Sequence, residues 1–132
     1  MLLEEFEDVA AVIEPTEKPV HDKGEVCETI ILSFNGEILQ RLIESEKVYQ
    51  GGYLKNLNGQ FPWYVYNYDG NQVAVMTALI GAPSVIGQLE ELVARGFKNF
   101  IILGSCGVLD RSIESDKIIL PAAALRDEGT SY

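Results

Sequence analysis

Between Gln72 and Leu103 the chain spells out a strand, a tight turn, an amphipathic helix and a second strand, and that order leaves little choice of fold. Gln72 to Leu79 is rich in β-branched and apolar residues. Gly81-Ala82-Pro83-Ser84 forms the turn, and Val85, Ile86, Leu89, Leu92 and Val93 then fall on one helical face. Pro83 suits a first helical turn, Glu91 stands four before Arg95, and Gly96 stops the helix. Phe100 to Leu103 is apolar without alternation, which predicts a strand covered on both faces. A helix that returns one strand parallel to another makes a βαβ crossover, and with it an α/β fold in which helices flank a twisted sheet.

The residues upstream predict that this sheet is mixed. Asp69-Gly70-Asn71 separates two β-rich runs, Phe61 to Tyr68 and Gln72 to Leu79, as expected of an antiparallel hairpin. Pro62 suits the start of an edge strand, and Trp63, Tyr64, Tyr66 and Tyr68 supply packing for a half-exposed sheet face. Thr29 to Phe34 reads as a strand. Asn35 to Glu46 follows as a helix, with Ile38, Leu39, Leu42 and Ile43 at helical spacing, Asn35 as N-cap and Glu37 in the first turn. Val48 to Leu54, broken by Gly51 and Gly52, is a weaker strand, and Asp116 to Leu120 predicts one more.

A length of 132 residues with 47% apolar content suits one domain with its own core. Residues 1–28 carry nine acids against Lys18 and Lys23, a local net of −7. Residues 1–26 therefore read as an acidic N-terminal arm, interrupted by Pro15 and Pro19 and anchored by Leu2, Leu3, Phe6, Val9, Val12 and Ile13; residues 27–132 form the α/β unit. A net charge of −10 opposes binding to nucleic acid or to anionic lipid. No apolar run approaches the ~20 residues of a membrane helix, and the acidic start lacks the basic and apolar regions of a signal peptide. Cys27 and Cys106 lie too far apart for a zinc knuckle and read as reduced thiols, so the expected compartment is the cytoplasm.

Ligands of open α/β sheets collect at the carboxyl ends of strands, and two small-residue loops leave such ends: Gly81 to Ser84 and Gly104 to Gly107. Ser105 offers a hydroxyl and an N–H to an anion or a sugar, while glycines on either side allow close backbone approach. Glycines that merely permit a turn explain the same spacing. Dinucleotide, Walker and serine-hydrolase signatures are absent from the sequence, and one histidine, His21, with scattered acids gives no metal cluster. Cys106 reads as a small buried residue rather than a nucleophile.

The segments Ala78-Leu79-Ile80-Gly81-Ala82-Pro83-Ser84, Ile101-Ile102-Leu103-Gly104-Ser105-Cys106-Gly107-Val108-Leu109 and Ala124-Leu125-Arg126-Asp127-Glu128-Gly129-Thr130-Ser131-Tyr132, with the helix between the first two, resemble the nucleoside phosphorylase superfamily, which includes purine nucleoside and uridine phosphorylases. The resemblance runs from about Gln72 to Tyr132, and residues 27–68 are compatible in topology. It implies phosphorolysis: inorganic phosphate, the co-substrate, attacks the anomeric carbon of a nucleoside, giving free base and pentose 1-phosphate, without a cofactor or a metal. By resemblance, Ser105, Gly104, Gly81 and Arg126 would meet phosphate and ribose, and Cys106, Gly107 and Ser84 would line the base and sugar pocket. A homo-oligomer is the implied assembly.

Two positions depart from the family's pattern. Ile102 stands where members carry a phosphate-gripping arginine, and Ser33-Phe34-Asn35-Gly36-Glu37 replaces an early Gly-Asp-Pro-x-Arg loop, with Arg41 set further along the helix. Members are roughly twice as long, so this sequence reads as a truncated N-terminal half whose catalytic acids would follow Tyr132. Hydrolysis by water in place of phosphate, and a silent fragment that binds nucleoside or self-associates, stand as the alternative readings.

Overall fold

The computed structural model describes residues 14–17, 24–114, 117–125 and 129. Among these residues five strands and two α-helices follow in the order β1 (Thr29–Ser33), α1 (Gly36–Glu44), β2 (Val48–Asn56), β3 (Gly59–Tyr68), β4 (Asn71–Thr77), α2 (Ala82–Arg95) and β5 (Asn99–Leu103). They form one mixed sheet in the order β2-β3-β4-β1-β5. The β4–α2–β5 crossover is present, but its two strands are not neighbours. β1 lies between them, parallel to both, with Ile30 opposite Ala74 on one side and Phe100 on the other.

Both hairpins follow from turn chemistry. Asp69 and Gly70 take φ values of 47° and 80°, the left-handed pair that a two-residue turn needs to match the twist of its strands. The β2–β3 turn, Leu57-Asn58, was not evident from the apolar pattern, because Gly59 at φ 130° and Gln60 precede the aromatic run that marks the strand. This second hairpin makes β3 an interior strand. Pro62 is nonetheless accommodated: it pairs with Tyr53 of β2, and the rungs shared with β4 begin only at Trp63.

Period-two alternation directs Ile30 and Leu32 of β1, Trp63 and Val65 of β3, and Ala74 and Met76 of β4 to one face, where Leu92 of α2 and Phe97 seal the core. Trp63 thus faces away from Tyr64 and Tyr66 rather than joining their stripe. Its ring meets Phe97 edge-on at 5.6 Å, and its indole N–H donates to the Glu25 carbonyl at 2.9 Å. The backbone of β2 must clear this indole. A β-bulge lies between Gln50 and Gly52, and a Cβ at Gly51 would sit only 2.7 Å from Trp63 Nε1. Val75 points the opposite way and is also buried, on the face where Leu39 of α1 packs.

Several expectations are corrected. The buried line of α2 runs through Gln88 and Leu92, while Ile86 and Val93 are more than half exposed. β5 is an edge strand with Ile101, Ile102 and Leu103 between 43% and 48% exposed, so its apolar run does not mark cover on both faces among the described residues. Residues 117–120 form no strand, and Ile118 and Leu120 are almost fully exposed. The predicted anchors Leu2 to Ile13 lie outside the described residues; of the arm, a 3-10 turn at Pro15–Glu17 rests against α2.

Candidate functional site

Because β1, β4 and β5 run parallel in register, Ser33, Thr77 and Leu103 end at the same sheet edge. Backbone bonds stitch the departing loops together there: the Phe34 N–H donates to the Leu103 carbonyl and the Ala78 N–H to the Ser33 carbonyl, each at 2.9 Å. Ser33 is buried, and its hydroxyl both donates to the Asn35 carbonyl and accepts the Asn35 N–H at 3.1 Å, which fixes the turn into α1. Asn35 then caps the helix, its Oδ1 accepting the Glu37 N–H at 2.9 Å.

This turn and the end of β5 enclose an open cleft of about 590 Å³, lined by residues 34–38 and 103–105. Gly104 lets the two loops approach, since a Cβ there would stand 3.2 Å from the Phe34 ring. Ser105 and Gly104 therefore face the start of α1 across the cleft. Glu37 is the one ionisable residue in its lining, and Arg41, one turn on, approaches the Glu37 carboxylate at 3.6 Å.

The other predicted residues fall elsewhere. Ser84 lines a second cleft of about 330 Å³ between α2, the Leu79–Ile80 segment and the β2–β3 hairpin, with Leu54 and Phe61 among its walls and Pro15 at its border. Gly81 is the residue before α2, where φ 95° favours glycine. Cys106 is exposed, contrary to the buried role expected of it, and Gly107 lines neither of these clefts. Arg126 lies outside the described residues. Cys27 is the buried thiol, and burial, helped by the Glu25 charge, pushes its pKa up, away from nucleophilic use. Asp110, on the segment after Gly107, accepts from the Ser112 N–H at 2.8 Å and hydroxyl at 2.7 Å, which holds its carboxyl below the ordinary range. Among the described residues no cluster of His, Cys, Asp and Glu could hold a metal, and no helix is long and apolar enough to cross a membrane.

Sequence reasoning missed the residue that shapes the β4 exit. Gln88 lies on the buried face of α2, where its Nε2 donates to the Thr77 carbonyl and its Oε1 accepts the Leu79 N–H, both at 3.0 Å. An amide one turn before Leu92, on the apolar side of the helix, was the available signal.

Comparison with known proteins places the chain in a family and shows its fold. Residues 28–132 match the pattern of the phosphorylase superfamily. A guanosine phosphorylase of Halorubrum lacusprofundi is 29% identical over 114 residues, which cover 83% of this chain and 44% of that protein. A uridine phosphorylase of Thermococcus kodakarensis is 42% identical over 64 residues, 48% of this chain and 23% of the relative. The crystal structure of uridine phosphorylase from Vibrio fischeri ES114 superposes with a TM-score of 0.57 at 23% identity, covering 83% of this chain and 43% of that one. The chain thus spans less than half the length of these relatives. With the family pattern matched from before β1 through the last residue and the mixed sheet shared with a solved member, this chain belongs to the phosphorylase superfamily.

Proposed function

We propose that the protein takes part in cleaving the N-glycosidic bond of a nucleoside in the cytoplasm, passing the pentosyl group to inorganic phosphate and releasing the base, with no further cofactor. The observation that carries this reading is the convergence of Gly104 and Ser105 with the start of α1 in one cleft at the carboxyl ends of β5 and β1. Ser105 would hydrogen-bond the sugar or the phosphate and Gly104 would let them approach the backbone, while Gly81, Ser84, Cys106, Gly107 and Arg126 are assigned to the wider site by the family resemblance alone. Such a reaction passes through an oxocarbenium-like state, so positioning and electrostatics do the work and no enzyme nucleophile is required.

The test is base release from purine and pyrimidine nucleosides with and without phosphate. Release that depends on phosphate supports phosphorolysis. Equal release in its absence replaces it with hydrolysis, the second reading, which the Glu37 carboxylate in the cleft lining favours. Binding of nucleoside without turnover marks this chain as a part of the machinery only.

A further inference from the structure

We infer that Asn58, at the tip of the β2–β3 hairpin, is a site of self-modification, where the side-chain amide is lost and a carboxylate is left in its place. The sequence holds two Asn-Gly pairs, Asn35-Gly36 and Asn58-Gly59. Glycine after asparagine puts no side chain in the way of the reacting backbone nitrogen. That nitrogen, giving up its proton, attacks the side-chain carbonyl carbon. A C–N bond forms as the C–NH2 bond breaks, ammonia leaves with the proton, and a cyclic imide joins the two residues. Water then opens the ring at either carbonyl, giving aspartate or, with the backbone routed through the side chain, isoaspartate. Water is the only co-reactant, and no electrons are exchanged.

Exposure does not separate the two pairs, because both asparagines are exposed. Their hydrogen bonds do. Asn35 is held at three points: the Ser33 hydroxyl accepts its N–H and donates to its carbonyl, and its own Oδ1 accepts the Glu37 N–H. Gly36, whose nitrogen would have to attack, opens α1, so ring closure there must break the cap and turn the backbone out of the helix start. At Asn58 the bond is to the backbone N–H, which donates to Asn56 Oδ1 at 2.7 Å, and the side-chain amide has no partner among the described residues. Gly59 pairs with Asn56 in the outermost rung of the β2–β3 ladder, and a Cβ built on it would meet nothing within 4 Å. The turn can therefore open while the rungs behind it stay closed. Asn58 lines the cleft beside α2, where the charged lining residues are Lys55, Glu90 and Glu91. A carboxylate at position 58 makes that lining more negative, and the isoaspartate form lengthens a two-residue turn by a methylene.

The experiment holds the intact chain at neutral pH and physiological temperature, folded in one arm and unfolded in guanidinium chloride in the other. Peptides carrying Asn35 and Asn58 are followed by mass spectrometry for exchange of amide for acid. Unfolded, both pairs are bare and convert at similar rates. Folded, Asn58 should convert about ten-fold faster than Asn35, the factor that loss of one helix cap implies. Its product should separate into aspartate and isoaspartate peptides, and Asn58→Gln should abolish the conversion there while leaving that of Asn35 unchanged. A folded ratio no different from the unfolded one, faster conversion at Asn35, or conversion of the same peptide in N58Q overturns the inference. So does a folded chain that keeps its Asn58 amide for as long as the unfolded chain takes to lose it.

Discussion

Gln88 reaches from α2 to the end of β4 and closes both of its amide valences there, donating to the Thr77 carbonyl at 3.0 Å while accepting the Leu79 N–H. In effect the side chain stands in for a missing strand rung and fixes how the chain turns toward Gly81. Replacing it with Leu preserves volume but leaves the half-buried Thr77 carbonyl and Leu79 N–H without this partner, a loss of about 1–3 kcal/mol. Urea unfolding of Q88L should show this as a lower midpoint with an unchanged slope. Gln88→Glu is the informative comparison, because it keeps the acceptor for Leu79 and loses the donor for Thr77, and a carboxylate is costly at a site only 3% exposed. Its destabilisation should therefore ease as pH falls and the carboxyl protonates.

Trp63 is the single tryptophan of the chain, and it is fully buried beneath Gly24, Gly51 and Gly52. Gly51→Ala places a methyl 2.7 Å from the indole nitrogen, closer than the bulged backbone of β2 can tolerate without moving. Overpacking of this kind costs about 1–3 kcal/mol. The displaced indole also loosens its bond to the Glu25 carbonyl, so the fluorescence of Trp63 should shift together with stability. In the double variant G51A/W63F the smaller ring relieves the clash, and the two losses should sum to less than their separate values.

How much of this was legible beforehand depends on whether the signal was local. The Asn35 cap, the Asp69-Gly70 turn, Pro83 in the first turn of α2 and Gly96 at its end are statements about neighbouring residues, and each stands in the structure where the sequence implied it. The exposure of β5, the interior place of β3 and the position of β1 between β4 and β5 depend on which strands pair across long separations, information that an apolar run does not carry. The site divides in the same way. Gly104 and Ser105 were recognisable from their loop, but the residues facing them, Phe34 and Glu37, come from a segment some seventy positions earlier, and only the parallel register of β1 with β5 brings the two together.

At the opposite end of the sheet from the cleft, the Tyr49 hydroxyl donates to Glu25 at 2.7 Å, and Gln72 Nε2 donates to the same carboxylate oxygen at 2.9 Å. The bond to Glu25 is the main reason the Tyr49 pKa lies above its ordinary value of about 10. A phenol whose pKa is raised on folding is favoured by the fold in its neutral form. Its contribution is therefore complete below the unfolded pKa and disappears as pH rises through the folded one. The melting temperature should accordingly fall through this alkaline window, and Tyr49→Phe should flatten the fall. Glu25→Gln should bring tyrosinate formation at position 49 to lower pH, as read by ultraviolet difference absorbance against the Y49F background.

The outer edge of β5 has no partner strand among the described residues, and Ile101, Ile102 and Leu103 leave apolar surface on both of its sides. An unpaired, unbulged strand of this composition, with no charge inside it and no proline, is a template for another strand. The chain in isolation should therefore sediment as more than a monomer at micromolar concentration, with the associated fraction rising with concentration. Ile102→Lys puts a charge on the exposed strand, beside its register partner Leu32 of β1, and it should return the chain to a monomer. A wild-type chain that stays monomeric across that range would overturn the prediction that the open edge of β5 recruits a second chain. An associated state unmoved by I102K would place the contact on the exposed side of α2 instead, where Ile86 and Val93 offer the next apolar surface.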